Sequence, residues 1–302
     1  MITIATRESA LAMWQANHVK SALEYAHPGL DVRITGMTTE GDRNKSSPLS
    51  RIGGKGVFVK ELEVALMEGR ADIAVHSMKD VPAELPKGLI LGAICEREDP
   101  RDAFVSKRYA SLDELPDGAR VGTSSLRRRV QVRLRYPGLD YPELRGNVDT
   151  RLRKLDDGEY DAIILATAGL LRLGLADRIT GRLSPDMCLP AAGQGAVGIE
   201  CREGDKRVME LIEAIDHSAT SLCVRMERSV SQALGANCTL PIAAHAILDG
   251  EAISLSAFVS DIAGENRISV HERGAAIDGE AIARRVGAAL LAQGAADLIE
   301  GA

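Results

Sequence analysis

The spacing of apolar residues over the first 95 positions predicts alternating strands and helices. Helical spacing puts Ala16, Val19 and Leu23 on one face after Ser9, which is the predicted N-cap. A second helical stripe covers residues 58–66. The short apolar runs typical of buried strands are residues 2–6, 31–36, 71–76 and 89–94. This order predicts a mostly parallel sheet with helices on both faces.

The alternation restarts after a break at residues 95–101. Two short segments align with each other: Thr6-Arg-Glu-Ser9 in the first part and Gly122-Thr-Ser-Ser125 in the second. Each combines the end of a strand, a hydroxyl-rich turn and the start of a helix. The predicted strands of this second part are residues 119–122 and 161–165, and its helices are residues 125–135, 147–155 and 168–173. The repetition indicates two similar α/β domains that face each other across a cleft.

From residue 218 the pattern becomes that of a small α+β domain. Alternating apolar residues from Ile253 to Val259 mark one face of a strand. The predicted elements are a helix to about residue 233, strands at 241–248, 252–259 and 267–271, and a helical stripe at 282–290. We expect a three-stranded antiparallel sheet covered on one side by helices. The predicted domains are residues 1–95 with 196–214, residues 101–189, and residues 218–302.

Charge is distributed unevenly along the chain. The 302 residues carry a net charge of −6, but residues 101–189 hold 16 Lys+Arg against 13 Asp+Glu and so carry +3. A basic segment in an acidic protein indicates a local anion site, although arginines solvated on helix faces would give the same count. Nucleic acid is disfavoured as a partner, because the chain is acidic and has only one Trp, five Tyr and three Phe for base stacking.

The cysteines indicate neither disulfides nor a metal. Five cysteines and six histidines are scattered without the spacing of a disulfide framework or a zinc site. Most of the cysteines are expected in the core, whereas Cys238, in the turn Gly235-Ala-Asn-Cys238, is a candidate exposed nucleophile.

No apolar run reaches the ~18 residues of a membrane span, and the N-terminus lacks a signal-peptide pattern. We therefore expect a cytoplasmic protein that does not enter a membrane.

Two motifs of the first part are candidates for binding charged groups. Residues 38–56 form a polar stretch long enough to be a mobile or binding segment. Within it, Gly53-Gly-Lys55-Gly56 departs from a phosphate loop because no Ser or Thr follows the lysine, and its glycines would let Lys55 move over a cleft. Lys79 and Asp80 follow a predicted strand, at the edge where open α/β sheets bind ligands. They are either a surface ion pair or an anion-binding lysine beside a carboxylate that stabilises a developing cation.

The sharpest chemical motif is Thr123-Ser-Ser-Leu-Arg-Arg-Arg129. Hydroxyls and backbone N–H groups at a helix start bind anions, and arginines extend such a site with planar forks that match carboxylates. Arg145 and Arg151 frame the start of the next helix with the same chemistry. A solvated basic helix is the alternative. Together these motifs favour a ligand with many carboxylates.

Taken together, the motifs resemble the porphobilinogen deaminase family from end to end. The segments that carry the resemblance are Ala5-Thr-Arg-Glu-Ser-Ala-Leu-Ala-Met-Trp-Gln15, Gly54-Lys-Gly-Val-Phe-Val-Lys-Glu-Leu-Glu63, Asp72-Ile-Ala-Val-His-Ser-Met-Lys-Asp-Val-Pro82, residues 122–128 and 145–152, Leu189-Pro-Ala-Ala-Gly-Gln-Gly-Ala-Val-Gly-Ile-Glu-Cys201, and the Cys238 turn. Seven such segments in one order are not expected by chance.

The resemblance implies a fold, an activity and a cofactor. The fold would be α/β, with two doubly wound domains like those of periplasmic binding proteins and a third small α+β domain. The activity would be the head-to-tail condensation of four porphobilinogen molecules into hydroxymethylbilane, with release of ammonia. The cofactor would be a dipyrromethane attached through a thioether to Cys238. The partners would be porphobilinogen and the growing polypyrrole chain, bound by a monomer with no obligate protein partner.

The resemblance also assigns residues. Asp80 matches the catalytic aspartate, whose carboxylate would accept pyrrole N–H hydrogen bonds and stabilise positive charge. The positions that match cofactor-binding residues are Lys79, Ser125, Arg127, Arg128, Arg145 and Asp42. The positions that match residues for the substrate or growing chain are Arg7, Ser9, Lys55, Arg151, Arg172 and Gln194.

The chain departs from the family pattern at two places. Residues 239–245 replace a more glycine-rich sequence after Cys238, and Asp149 stands where glycine is common. The added carboxylate would weaken anion binding near Arg145 and Arg151. Two other functions fit parts of the sequence. A two-domain protein that binds small anions would need neither Cys238 nor Asp80, and an ATP-dependent ligase rests only on residues 53–56.

Overall fold

The computed structural model describes residues 1–43, 58–235 and 240–300. Its strands are β1 (Ile2–Arg7), β2 (Val32–Met37), β3 (Ile73–Ser77), β4 (Leu89–Ile94), β5 (Asp102–Ser106), β6 (Val121–Gly122), β7 (Ala162–Ala166), β8 (Gly181–Arg182), β9 (Val197–Arg202), β10 (Ile242–Asp249), β11 (Ala252–Ser260) and β12 (Arg267–Ala275). Its helices are α1 (Ala10–Ala26), α2 (Glu40–Arg43), α3 (Lys60–Met67), α4 (Leu126–Arg135), α5 (Val148–Asp156), α6 (Thr167–Arg172), α7 (Lys206–Glu213), α8 (Ser218–Ala233), α9 (Gly279–Ala292) and α10 (Ala295–Glu300).

The first of two compact units comprises Met1–Glu98 and Ala196–Leu222. Its five-stranded sheet has the order β2–β1–β3–β9–β4. Strand β1 pairs in parallel with β2 and β3, as predicted, whereas β9 is antiparallel to both β3 and β4. Because β3 and β4 are both antiparallel to β9, they run in the same direction as each other, and the four predicted strands β1–β4 share one direction. The prediction of a mostly parallel sheet is confirmed, while β9, for which the sequence pattern gave no strand, runs in the opposite direction.

Helices cover both faces of this sheet, as the alternation predicts. On one face α1 and α7 pack against β1 and β3 in a cluster that includes Ile2, Ile4, Ala16, Val19, Leu23, Ile73, Val208 and Ile212. On the other face α3 packs in a cluster that includes Ala5, Leu62, Leu66, Ala74 and Leu89. Neighbouring residues Ile4 and Ala5 thus point to opposite faces, as the pleat of a strand requires. With both faces buried, the strand ends are the places left for a site.

The second unit comprises Asp99–Gly195 and Cys223–Ala302 and contains two sheets. Its four-stranded sheet has the order β6–β7–β5–β8, with β6 parallel to β7 and β5 antiparallel to β7 and β8. Helix α4 packs on one face, and α5 and α6 pack on the other. The sequence pattern does not predict β5, because the strand begins with the charged but fully buried Asp102.

The second sheet of this unit is antiparallel, in the order β10–β11–β12, which confirms the prediction for this part of the chain. The residues of β11 that alternate from Ile253 to Val259 are buried, and α9 covers the sheet. The opposite face is also in contact with a helix, because Ala243 and Phe258 pack against Val130 of α4. The expectation of a sheet covered on one side is therefore incomplete, and α4 contacts both sheets of the unit.

Candidate active site

The site residues of the first unit lie at one edge of its sheet. Strands β1 and β3 are adjacent and parallel, so their carboxyl ends meet at this edge. Strand β1 ends at Arg7, whose guanidinium carbon lies 4.3 Å from the centroid of the Phe58 ring. The next element starts at Ser9, whose Oγ accepts a hydrogen bond from the N–H of Ala12 at 3.4 Å. This confirms Ser9 as the N-cap of α1.

The turn after β3 holds Asp80 in place. Gln15 of α1 hydrogen-bonds Ser77 Oγ at 2.8 Å. Met78 is buried against Gly198 of β9, where an added Cβ atom would lie 2.0 Å from Met78 Sδ. Asp80 follows, half-buried, and its carboxylate makes no hydrogen bond or ion pair with any residue that the structure describes. A carboxylate that is positioned but not neutralised is suited to stabilising positive charge on a ligand.

A buried titratable cluster that was not predicted from the sequence is formed by His76 of β3, Glu200 of β9 and Glu63 of α3. His76 Nε2 lies 2.8 Å from Glu200 Oε2, and both side chains are almost completely buried. Burial and the charge of Glu200 raise the pKa of Glu63 to about 7, while His76 lowers it. Glu200 Oε1 has no hydrogen-bond partner among the described residues. The unit therefore holds a carboxyl group that titrates near neutral pH.

In the second unit, α4 begins with the hydroxyl residues that the sequence analysis identified. Ser125 Oγ accepts a hydrogen bond from the N–H of Arg128 at 3.4 Å, which is the same capping contact that Ser9 makes for α1. Thr123 Oγ1 accepts from the N–H of Ser125 at 3.2 Å. The correspondence between the two segments therefore extends to their cap geometry. The remaining N–H groups of the first turn point out of the helix start, where an anion can bind.

Arg127 and Arg128 are buried and share one carboxylate, that of Asp102. Asp102 Oδ2 lies 2.8 Å from Arg127 Nη1, and Asp102 Oδ1 lies 2.9 Å from Arg128 Nε. Burial alone would raise the pKa of Asp102, but the two arginines hold it well below its usual value. The formal charges of these three side chains sum to +1. This arrangement keeps a net positive charge, and its central carboxylate was not predicted from the sequence.

Cys188 lies beside this cluster without adding charge to it. Its Sγ is 3.2 Å from Asp102 Oδ2 and 3.4 Å from Arg127 Nη1. Burial and the charge of Asp102 raise the pKa of this thiol to about 12, so it stays protonated at neutral pH. The next residue exchanges two hydrogen bonds with α4, since the Leu189 N–H donates to Gln131 Oε1 at 2.8 Å and Gln131 Nε2 donates to the Leu189 carbonyl at 3.2 Å.

The loop that follows places Gln194 against the same carboxylate. Gln194 is 1% exposed, and its Nε2 donates to Asp102 Oδ1 at 2.9 Å. The flanking Gly193 and Gly195 have φ of +71° and +90°, a conformation that favours glycine. Glu227 of α8 accepts a hydrogen bond from the N–H of Gly193 at 2.7 Å. Gln194, expected from the family resemblance to serve the substrate, thus contacts Asp102.

The other predicted arginines of this unit are oriented by short contacts. Arg145 Nε donates to Glu143 Oε1 at 2.6 Å, so a carboxylate already offsets part of its charge. Arg151 Nε donates to a backbone carbonyl at 2.6 Å. Arg172 Nη2 donates to the carbonyl of Gly195 at 2.7 Å. These two carbonyl contacts fix the guanidinium groups without adding a negative charge.

Three predicted site residues are described only in part or not at all. Cys238 and Lys55 lie outside the described residues, and Asp42 lies on α2. The other cysteines are buried, as expected for most of them: they are Cys95, Cys188, Cys201 and Cys223.

Among the described residues, no group of three His, Cys, Asp or Glu side chains is arranged to hold a metal ion. None of the described helices is long and apolar enough to cross a membrane.

Asp102 and Glu227 support the site but were not predicted. Asp102 follows Asp99-Pro100, a stretch that reads as a break between domains, and nothing in its spacing points to arginines 25 positions later. Glu227 offered a usable signal. It lies between Val224 and Val230 on the apolar face of α8 and is fully buried. An acid on an apolar helix face requires a buried partner.

Two family models cover most of the chain. The dipyromethane cofactor-binding domain of porphobilinogen deaminase matches residues 2–210, and the C-terminal domain of porphobilinogen deaminase matches residues 221–292. The chain belongs to the porphobilinogen deaminase family. It is therefore a transferase of tetrapyrrole biosynthesis, a hydroxymethylbilane synthase that condenses porphobilinogen into a linear tetrapyrrole. Its cofactor is a dipyrromethane.

Several solved structures align with about 70% of the chain. The methionine-binding protein MetQ is 18% identical, with 71% of this chain and 89% of that chain covered and a TM-score of 0.46. A periplasmic substrate-binding protein of an ABC transporter from Coxiella burnetii is 16% identical, with coverage of 73% and 94% and a TM-score of 0.46. The periplasmic VFT2 domain of BvgS from Bordetella pertussis is 18% identical, with coverage of 71% and 86% and a TM-score of 0.42. At these values the similarities carry no inference about fold or function.

Proposed function

We propose that Asp80 is the catalytic carboxylate of the condensation. The observation that carries this assignment is a half-buried carboxylate at the strand edge, fixed by its turn and without a partner among the described residues. Porphobilinogen becomes cationic as ammonia leaves. A carboxylate that accepts the pyrrole N–H stabilises that charge before and after each coupling. Lys79, the residue before Asp80, is proposed to bind an acid side chain of the cofactor.

The residues of the second unit fit a cofactor that bears carboxylates. Each pyrrole ring of a dipyrromethane carries an acetate and a propionate. The cluster of Asp102, Arg127 and Arg128 has a formal charge of +1, and a buried net charge favours a bound counter-ion. We propose that Ser125, Arg127, Arg128 and Arg145 hold these acid groups, together with Lys79 and Asp42. When bound, the cofactor supplies the pyrrole carbon from which the chain grows.

We propose that Cys238 is the attachment residue. The other four cysteines are buried, and burial raises the pKa of Cys188 to about 12 and of Cys201 to about 11. Thiols with such pKa values are poor nucleophiles at neutral pH. The intact mass of the active protein should exceed the sequence mass by one dipyrromethane. Cys238→Ser should lack this mass and Cys201→Ala should retain it. A fully active wild-type protein of unmodified mass would contradict the assignment.

We propose that the remaining predicted positions bind the carboxylates of substrate and growing chain. These residues are Arg7, Ser9, Lys55, Arg151 and Arg172. The guanidinium of Arg7 lies at the same sheet edge as the turn that holds Asp80, which supports a role near the reacting ring. Gln194 was expected in this group. Its burial against Asp102 supports instead an indirect role, through the arginine pair.

The activity itself is tested by stoichiometry. Purified protein incubated with porphobilinogen should release four ammonia molecules for each hydroxymethylbilane, because four substrate molecules are joined and the product is freed by water. Ammonia is measured enzymatically and the tetrapyrrole by mass spectrometry. Binding of porphobilinogen without release of ammonia would contradict this activity and would support the alternative of a protein that only binds small anions.

We further propose three domains and a monomeric, cytoplasmic enzyme. The two sheets of the second unit support its division into residues 101–189 and 218–302, with residues 1–95 and 196–214 forming the first domain. Among the described residues, the most exposed large apolar side chains, Tyr25 and Ile277, are more than 90% exposed and belong to different compact units, so they form no shared apolar patch within either unit. Light scattering should give the mass of one chain, 32.2 kDa plus cofactor.

A further inference from the structure

We propose that Asp102 is a positioning residue, which holds Arg127 and Arg128 side by side as one anion receptor with a charge of +1. This inference rests on the proposed function, because the anion is taken to be a carboxylate of the cofactor. It adds a residue for which neither the sequence motifs nor the family resemblance gave a role.

The two arginines need a reason to converge. Consecutive residues of an α-helix project about 100° apart, so neighbouring side chains do not face each other. Two guanidinium groups near a helix start are also repelled by each other and by the positive end of the helix dipole. Yet Arg127 Nη2 and Arg128 Nε both donate to Asp102 Oδ1, at 3.2 Å and 2.9 Å. One carboxylate therefore brings together two groups that the helix would separate.

Asp102 is itself fixed by backbone contacts. It begins β5, where it pairs with Ala166 of β7, and its carbonyl accepts a hydrogen bond from the N–H of Leu183 at 2.8 Å. Its side chain is fully buried, and Gln194 donates to Oδ1 at 2.9 Å. A carboxylate on a flexible loop would follow the arginines. This one is set by a strand, so the arginines take their position from it.

The charge of the cluster sets how many anions it can hold. Asp102 offsets one of the two guanidinium charges, and the neighbouring Cys188 is a neutral thiol, since burial and Asp102 raise its pKa to about 12. Arg128 also donates to the carbonyl of Ile164 at 3.1 Å, a contact that adds no charge. One remaining positive charge suits one carboxylate. Without Asp102 the pair would carry +2 and would lack a fixed geometry.

The test compares Asp102→Asn and Asp102→Glu with wild type and with Asp99→Asn. Asp99 is a matched control because its carboxylate also contacts two arginines but lies near the surface. Asp99 Oδ2 is 2.7 Å from Arg101 Nη2 and 3.1 Å from Arg182 Nε. Each protein is expressed in cells that make no porphobilinogen. Folding is checked by circular dichroism, porphobilinogen is added, and the fraction that gains the dipyrromethane mass is followed with time.

We expect loading of folded Asp102→Asn to slow by roughly tenfold or more, since the amide keeps one acceptor oxygen but loses the negative charge and the second oxygen to which the arginines donate. Asp102→Glu keeps the charge but moves it by one methylene, so its loading should also slow, and Asp99→Asn should load like wild type. If Asp102→Asn fails to fold, the Glu variant decides. Loading of the folded Asp102 variants at the wild-type rate would overturn the proposal, whereas a wild-type protein that gains no mass would overturn the proposed function instead.

A second readout separates positioning from structural support. In the Cys238→Ser background, which should stay unloaded, Asp102→Asn raises the formal charge of the cluster of residues 102, 127 and 128 from +1 to +2. Sodium sulfate should then raise the melting temperature of the Asn variant more than that of its parent, relative to sodium chloride of equal ionic strength. A loss of melting temperature that is the same in both salts would mean that Asp102 only supports the fold.

Discussion

Asp80 is held by its neighbours rather than through its own carboxylate. The turn is fixed by Met78 against Gly198 and by Ser77 against Gln15, while the carboxylate of Asp80 has no partner among the described residues. Its substitution should therefore change chemistry more than folding.

We expect Asp80→Asn to fold and to carry cofactor but to lose about 10²–10³ in kcat, the usual cost of removing one preorganised electrostatic contact. The amide keeps the shape but supplies no negative charge to the cationic transition state. Glu84→Gln, in an exposed position four residues later, is the control and should turn over normally. Normal kcat in loaded Asp80→Asn would exclude Asp80 from the chemistry. Rates are measured as tetrapyrrole formed per loaded protein.

Glu63 gives a pH-dependent stability. Burial and Glu200 raise its pKa from 4.5 to about 7 in the folded protein, with His76 acting in the opposite direction. Below pH 4.5 both folded and unfolded chains hold the proton, and between 4.5 and 7 only the folded chain does. The contribution of Glu63 to the free energy of unfolding therefore falls as pH rises through this window and is constant above it.

Glu63→Gln should remove this contribution. The free energy of unfolding of the variant minus that of wild type should therefore be larger at pH 8 than at pH 5. The increase should be at most about 3 kcal/mol for a pKa shift of this size. Urea unfolding at the two pH values measures the difference. Glu203→Gln, at an exposed position, is the control: its free energy of unfolding should differ from that of wild type by the same amount at pH 5 and at pH 8. Parallel pH profiles for wild type and Glu63→Gln would show that Glu63 does not titrate as described.

At the scale of elements, α1 and α4 begin with the same cap but carry different side chains in the first turn. Each has a serine cap whose Oγ accepts from the third N–H of the helix, but α4 then places two arginines in the interior. The cap contributes about 1 kcal/mol in either helix. In α4 it also sets the register in which Arg127 and Arg128 meet Asp102.

Ser125→Ala should therefore open the first turn of α4. We expect amide hydrogen exchange at Arg128 to speed up by about fivefold, the equivalent of about 1 kcal/mol, with little change in α1. Ser9→Ala is the matched variant and should give the converse pattern. Hydrogen-exchange mass spectrometry on peptides that cover the two helix starts makes the comparison. Equal exchange in wild type and Ser125→Ala would show that the hydroxyl does not cap the helix.

Local sequence predicts most elements but not how distant ones pair. The bounds of β4 and α8 agree with their apolar patterns, and the alternation in β11 correctly assigns its buried face. Strand β5 is missed because its first residue is a buried charge. Strand β9 was not predicted, and a period of two residues would in any case describe a strand and not the direction of its neighbours.

The same limit applies to the site. The arginines of α4 stand out because hydroxyls, a helix start and adjacent cations coincide in seven residues. Their partner Asp102 lies 25 positions earlier and looks like any acid near a proline. Gln194 lay within a recognisable motif, yet its contact with Asp102 depends on how the loop folds. Residue types that bind charge can be read locally, whereas the pairing that sets the remaining charge is tertiary.

At the scale of the whole molecule, the arginines divide by when their charge is needed. Arg127 and Arg128 are buried around Asp102 in the second unit, as expected for groups that hold a permanent ligand. Arg7 and Arg172 are half-buried, and Arg172 is oriented by a backbone carbonyl. Groups of the second kind are suited to a substrate that arrives repeatedly and to a chain that moves after each coupling. Loss of the two kinds of arginine should therefore stop the enzyme at different stages.

Intact masses before and after addition of porphobilinogen should show this division. Arg127→Leu and Arg128→Leu should purify largely without cofactor and melt at a lower temperature, because a ligand that binds only the folded state is missing. Arg7→Leu and Arg172→Leu should carry the cofactor mass but stall with one to three further pyrrole units, or show a raised KM.

Arg129→Leu is the control. Arg129 lies on α4 beside Arg127 and Arg128, but its guanidinium makes no hydrogen bond or ion pair with the described residues. It should load and turn over normally. A cofactor-free Arg7→Leu beside a fully loaded Arg128→Leu would reverse the proposed division, and equal loss of loading in all five variants would mean that only total positive charge matters.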